Sequence, residues 1–349
     1  PTIPLTSRVP ASDTSAPQGS IRRAQARADD WLDRVEFTHL SVEDGLSQSS
    51  VNAVLQDSRG FIWFGTDDGL NRYDGYQMVV YHADPVGKQG LSHNTVTALA
   101  EDRSGHLWVG TSGGLDRLKL ATGSFEHFRH AEDDETSLAD DGVLALSVDR
   151  WGDLWIGTGS GLDRLGPDGD GFDHYAADGA DPGSLPDNHV TSIYEDSMGD
   201  LWIGTWQGVA RWDPGRERFR AYVLTQDQGA ERGRHAVRAI VENPPGTLWV
   251  AASGSGLFRL EGDATAFEQV TVGYHEPTRP LEEPVTSLWV DASGLLWVGT
   301  NGRGLHCLDP GGKTLASYAK DPRASTSLSS NYVNAIYQSR HGVLWVGTA

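Results

Sequence analysis

Apolar and polar positions along this chain recur in one pattern: a short alternating run, a turn ending in Gly, and then Leu-Trp-x-Gly-Thr. The last motif reads IWFGT at Ile62–Thr66, LWVGT at 107–111, and LWIGT at Leu154–Thr158 and Leu201–Thr205. A degraded copy, LWVAA, occupies 248–252, and LWVGT returns at Leu296–Thr300 and Leu344–Thr348. The tryptophans Trp63, Trp108, Trp155, Trp202, Trp249, Trp297 and Trp345 follow one another at intervals of 45, 47, 47, 47, 48 and 48 residues. A fixed period of this length marks a repeat architecture.

The second unit shows the repeat's content. Residues 95–101 (TVTALAE) alternate as a strand does. Asp102-Arg103-Ser104-Gly105 is a turn closed by Gly, and 106–111 is a second strand. Gly113-Gly114 turns into a third strand at 115–120, and Ala121-Thr122-Gly123 into a fourth at 124–130. The same script predicts first strands at Val51–Gln56, Val143–Val148, Val190–Glu195, Val237–Glu242, Val285–Val290 and Val333–Gln338. Third strands fall at 70–73, Leu162–Leu165, 209–212, 257–260 and Leu305–Leu308. Each fourth strand holds a large anchor: Tyr81, Phe128, Tyr175, Tyr222, Phe267 or Tyr318.

A four-stranded sheet of this size buries little alone, and here both of its faces carry apolar residues. Each sheet therefore needs a neighbour on both sides, which radial stacking into a closed ring supplies. The expected fold class is all-β: a seven-bladed β-propeller of four-stranded antiparallel blades, the last blade incomplete. The repeats run near 50–82, 95–130, 142–176, 189–223, 235–271, 285–319 and 332–349, so the propeller occupies 35–349. Residues 1–34, rich in Pro, Ser, Ala, Arg and Asp, read as a disordered linker or tail. The seventh unit stops after its Trp strand. Residues 35–40 (VEFTHL) resemble a fourth strand such as FEHFRH and are expected to form the outer strand of that last blade, whose third strand is missing.

Composition changes the picture in few places. Gly makes up 42 of 349 residues, as many short strands joined by tight turns require. The net charge of −20 disfavours nucleic acid as a partner. Cys307 is the only cysteine, so there is no disulfide framework and no cysteine metal site. No apolar run reaches the roughly 18 residues of a membrane helix, so no direct membrane contact is expected of this fragment. The chain starts at Pro1 and stops just after the seventh motif, as a piece of a longer protein would.

The composite motif NxVxxIxEDxxGxLWIGTxxGLxRxD, clearest at 188–213 and 94–116, resembles the two-component-regulator propeller (Reg_prop) repeat, as does the stretch 37–75. The resemblance extends over 35–348. It implies a periplasmic sensor domain of a bacterial hybrid histidine kinase or diguanylate cyclase receptor. In such receptors two propellers typically precede an immunoglobulin-like domain, a membrane helix and the output domain, and several members respond to glycan fragments. This chain holds one ring's worth of repeats and no output part, so the ligand does not carry over.

In a propeller the loops joining strand four to strand one, and strand two to strand three, share one face, which is the expected binding face. Its candidate ligand residues are Asp67, Asp68, His93, Asn94, Asn188, His189, Trp206, Gln207, His235, Asn301, Arg303, Asn331 and Tyr332, with Asp140, Asp141 and Glu283 beside them. Trp206 lies off the repeat, next to Gln207, in a pairing suited to stacking on a sugar ring. Against this, loop Asn and Asp serve turn geometry on their own, and Trp206 can pack on a neighbouring blade.

No catalytic set and no metal or cofactor site emerges: HExxH is absent. His127, His174 and His306 fall in strands, as packing residues do. Asp168-Gly169-Asp170-Gly171-Phe172-Asp173 lacks the spacing of a calcium loop, and GTGSG at 157–161 has no helix after it to hold phosphate. The expected function is extracytoplasmic ligand sensing without catalysis. The expected partners are a small molecule or oligosaccharide and further domains of the same receptor, with a homodimer formed through the intact receptor left open. The alternatives are a lyase resembling streptogramin lyase, for which His189, His235 and Glu283 are the nearest approach to a metal-binding set, and a plain interaction scaffold.

Overall fold

The computed structural model describes residues 2–4, 31–32, 34–84, 89–167, 169, 171–225, 236–262, 264–270 and 284–349. The candidates His235 and Glu283, Asp168 and Asp170 of the Asp-rich turn, and most of the expected tail lie outside the described residues.

The fold is an all-β propeller of antiparallel meanders. The first to third sheets and the sixth are separate four-stranded units. The fourth and fifth are joined at their outer edges, where Arg218–Thr225 runs parallel to Ala266–Val270. The second unit, for example, runs Val96–Glu101, His106–Thr111, Gly114–Lys119 and Ser124–Phe128 in spatial order. First strands neighbour first strands from sheet to sheet, and Val333–Gln338 of the last lies against Val51–Gln56 of the first. Every first strand carries a register shift just after its leading Val, as at Val51/Ala53 and Val333/Ala335. Such a bulge re-aims the intervening side chain. Asn52 thus bonds the carbonyl of Val96 in the next sheet at 3.1 Å, and Thr97 that of Val143 at 2.7 Å.

The core lies between sheets. Trp63 packs among Val96, Leu107, Val109 and Phe125 of the second unit, and Trp155 among Val190, Leu201, Ile203 and Phe219 of the fourth. Trp345 of the last unit packs with Val51, Ile62 and Phe64 of the first. All seven repeat tryptophans are at most 6 % exposed. The motif's Gly has a steric cause. A Cβ on Gly65, Gly110 or Gly157 would fall 2.5, 2.6 or 2.7 Å from Cγ1 of Val96, Val143 or Val190 in the next sheet. At Gly347 the obstacle is Val51, across the junction of last and first sheets. The close approach that lets each Trp wedge between sheets leaves no room for a side chain there.

Two expectations are corrected. The last sheet does have a third strand. Thr2–Pro4 pairs antiparallel with Leu344–Thr348, in the register Thr2↔Gly347, Ile3↔Val346, Pro4↔Trp345. The first residues are therefore not wholly tail; three residues distant from the repeats carry no period that would announce a strand. Residues 35–40 in turn form isolated bridges at Phe37 and Leu40 rather than a continuous strand. Phe37 still takes an outer-strand seat. Its ring meets Tyr318 edge-on at 5.6 Å, as Phe172 meets Phe128 at 5.9 Å and Phe219 meets Tyr175 at 5.7 Å. Its N–H donates to Thr326 O at 2.9 Å, just as those of Phe172 and Phe219 donate to Thr136 O and Gly183 O.

Candidate functional site

The structure brings the candidate residues together in three groups, each on a different pair of neighbouring elements. In the first, the amide of Asn94 donates to Asp68 Oδ1 at 2.9 Å, and Gly69 N–H donates to Asn94 O at 2.7 Å. Asp67 accepts from Asn52 at 2.8 Å, and His93 Nδ1 accepts the backbone N–H of Thr95 at 3.0 Å. In the second, the rings of His189 and Trp206 stack at 3.9 Å and 13°. Trp206 N–H donates to His189 O, and Gln207 Nε2 donates to Asp187 Oδ2 at 2.7 Å. In the third, Asn331 O accepts from Gly302 and Gly304 at 3.0 and 2.9 Å, and Asn301 bridges Tyr332. Arg303 and Tyr332 are exposed there, Tyr332 by 53 %.

Much of this polar chemistry is turned inward. Oδ1 of Asn94, Asn188 and Asn331 accepts the backbone N–H of Ala83, Ala177 and Lys320 at 2.7, 2.6 and 2.7 Å. Asp141 does the same for His130 at 2.7 Å. In all four the partner stands eleven residues earlier, so the side chain ties off the loop that leaves the fourth strand. Trp206 is half-buried, with one face covered by His189. Tyr332 and the exposed Asp67, His93, Gln207, Asn301 and Arg303 are the groups on this face turned to solvent.

Two pairs were not readable from spacing. His127 Nδ1 donates to Asp116 Oδ1, and His174 Nδ1 to Asp163 Oδ1, each at 2.7 Å. Asp116 and Asp163 are fully buried in third strands, where their second oxygens accept the N–H of Ser92 and Ala139. Burial raises both carboxyl pKa values above the ordinary 3.8, against the lowering effect of these hydrogen bonds. Asp and His stand opposite each other across the ladder, a relation that only the register reveals. No group of three or more His, Cys, Asp or Glu side chains placed to hold a metal ion occurs among the described residues.

The family model described as "Two component regulator propeller" (Reg_prop) matches residues 45–68, 90–113, 184–207 and 327–349. These four stretches match the two-component-regulator propeller repeat. Each matched stretch runs from the loop Leu that enters a sheet, such as Leu91 or Leu328, through the Trp strand. Among curated proteins, "Histidine kinase P4" of Formosa agariphila is 47 % identical over 49 residues, 14 % of this chain and 4 % of that protein. Among solved structures, the extracellular domain of BT3049 from B. thetaiotaomicron, described as a hybrid two component system, superposes with a TM-score of 0.75 at 23 % identity. The match covers 89 % of this chain and 40 % of that one. A streptogramin B lyase structure is more distant, with a TM-score of 0.63 at 14 % identity over 87 % of this chain and 92 % of that one. The chain thus shares the fold of the extracellular domain of BT3049, and it spans 40 % of that chain and 4 % of the Formosa kinase. No described helix is long and apolar enough to cross a membrane.

Proposed function

We propose that this Reg_prop chain is a seven-bladed, ligand-sensing propeller from the periplasmic part of a bacterial transmembrane receptor, most simply a two-component histidine kinase. In this reading it binds a small molecule or glycan on its loop face, performs no catalysis, and passes a rearrangement through further domains of the same receptor. The observation that carries the proposal is the coincidence of Reg_prop repeats with a fold shared, over 89 % of the chain, with an extracellular two-component domain. Residues 35–40 complete the last blade by seating Phe37 against Tyr318. The loop face offers two aromatic platforms, Tyr332 beside Asn301 and Arg303, and Trp206 on His189. Flat rings flanked by amide and guanidinium donors suit sugar rings.

Titrating an oligosaccharide library against the wild type, Tyr332→Ala and Trp206→Ala tests the assignment. A ligand whose affinity drops in either variant supports it; a ligand bound equally by all three places the site elsewhere. The near full-length fold match to a lyase favours one rival reading. In that case a metal would be held near His189, His235 and Glu283, and elemental analysis with turnover of streptogramin B separates the two.

A further inference from the structure

In the second, third and fifth sheets the Arg of the third strand faces a carboxylate across the ladder: Arg117↔Glu126, Arg164↔Asp173 and Arg259↔Glu268. The fourth sheet breaks this rule. There Arg211 stands opposite Arg220. Two like charges directly opposed on a sheet surface disfavour the pairing. The replacement is local, on a chain whose net charge is −20.

Three more features converge on the same edge. Arg216, Arg218 and Arg220 alternate along the turn and outer strand, so residues 218 and 220 share the face that carries Arg211. A cavity of about 340 Å³ opens there, lined by all four arginines with Asp213, Phe219, Pro182 and Gly183. Arg220 lies over the Tyr222 ring at 5.1 Å and is paired with no carboxylate among the described residues. The other three pair with partly exposed carboxylates, Arg211 with Asp200 at 2.9 Å, Arg216 with Asp213 at 2.8 Å and Arg218 with Asp181 at 3.6 Å, and Arg211 also lies over the Trp202 ring at 5.9 Å. Exposed pairs of this kind are weak and exchange readily. A guanidinium fork prefers a bidentate oxyanion, which would also relieve the Arg211–Arg220 repulsion.

We propose that the outer edge of the fourth sheet is an oxyanion site, in which Arg211, Arg218 and Arg220, with Arg216 at the rim, bind a small ligand bearing a carboxylate, sulfate or phosphate group. It lies beside the turn between strands three and four, at the end of the sheet opposite Trp206 and Gln207, and stands independently of the loop-face reading. The cavity fits one small ligand or substituent rather than a folded partner.

Calorimetric titration of the full chain with inorganic sulfate, inorganic phosphate and glucuronate, at ionic strength held constant with sodium chloride, tests it. Saturable binding of at least one probe is expected, and which probe binds identifies the oxyanion class. Arg220→Glu, which restores the carboxylate found in the sister sheets, should weaken binding about tenfold or more while leaving the melting temperature unchanged or higher. Arg220→Gln, which removes the charge without adding one, should weaken it in the same direction. Arg323→Glu makes the same charge change on a loop of another sheet and should leave affinity within about twofold. No saturable binding of any probe overturns the proposal. So does wild-type affinity in both Arg220 variants, an equal loss in Arg323→Glu, or binding seen only on vesicles of anionic lipid.

Discussion

Asp57 accepts the indole N–H of Trp63 on Oδ2 at 3.0 Å, while its Oδ1 takes the backbone N–H groups of Arg59 and Phe61 at 3.0 and 2.9 Å. One carboxylate thus folds the turn and orients the wedge that binds the next sheet. Asp102, Asp149, Asp196 and Asp291 repeat the bond to Trp108, Trp155, Trp202 and Trp297 at 2.8–2.9 Å. In the fifth sheet Trp249 uses the carbonyl of Asn243 instead. In the seventh the Asp is replaced by Ser339, and the buried indole N–H of Trp345 has no partner.

Ser339→Asp is therefore expected to stabilise the fold by about 1 kcal/mol, by supplying the missing acceptor. Asp149→Ala should cost about 2–3 kcal/mol, because it leaves both a buried indole and a turn unsatisfied. Urea midpoints compare the two; a lower midpoint for Ser339→Asp would contradict the role assigned to the carboxylate.

A second irregularity concerns Ser192 and Ser287. Both stand in first strands where the other sheets place Ala53, Ala98, Ala145, Ala239 and Ala335. Their hydroxyls are buried without a partner against Gly204 and Gly299. Ser192→Ala should raise stability by about 1 kcal/mol, since a desolvated hydroxyl is removed and no volume is added. Thermal melts of Ser192→Ala and Ser287→Ala should shift upward together, and a downward shift would mean that the hydroxyls are satisfied in solution.

These repeated contacts explain what could be read along the chain. Trp, the Gly two residues after it and the Asp six residues before it recur because each sheet meets its neighbour in the same way, so the ring was legible as a period. Phe37 was legible too, because FTHL repeats the spacing of FEHF and FDHY. Thr2–Pro4 was not, because its partner Trp strand lies at the far end of the chain and backbone pairing leaves no side-chain signature. That the loop asparagines serve their own turns was open to reading, but the N–H groups they take, those of Ala83, Ala177 and Lys320, were not. The facing pairs Asp116–His127 and Arg211–Arg220 depend on ladder register, which spacing alone did not fix.

The closure of the ring makes a further expectation. Gln56 Oε1 accepts the backbone N–H of Arg340 at 2.8 Å, joining the first and last sheets. Glu101 serves Ser58, Glu195 serves Arg150, Glu242 serves Ser197 and Gln338 serves Ala292 in the same way. Val148 and Val290 break the series, and at Val290 the residue in the donor position is Pro244, which has no N–H. Gln56→Leu should cost about 1 kcal/mol, and Phe37→Ala about 3–5 kcal/mol through the cavity left beside Tyr318. Hydrogen exchange locates the damage. Amides of Leu344–Thr348 should exchange faster in both variants, with Leu154–Thr158 unaffected; uniform acceleration would mean that the junction is no weaker than the other gaps.

Two histidines give the fold opposite responses to pH. Burial, with the Arg303 charge nearby, lowers the pKa of His306 from 6.5 to about 4. The unfolded chain then binds the proton first, so His306 makes stability fall as pH drops from 6.5 towards 4. At about 1.4 kcal/mol per unit the loss approaches 3 kcal/mol. For His174, burial opposes the charged form, but the hydrogen bond and charge of Asp163 outweigh it and raise the pKa above 6.5. Its contribution is fully present below pH 6.5 and is lost as pH rises through the folded-state value. Urea midpoints of the wild type, His306→Gln and His174→Gln across this range separate the two effects. His306→Gln should flatten the acid limb, and His174→Gln should remove the decline on the alkaline side. A wild-type acid limb that His306→Gln leaves unchanged would mean that His306 is protonated in the folded ring.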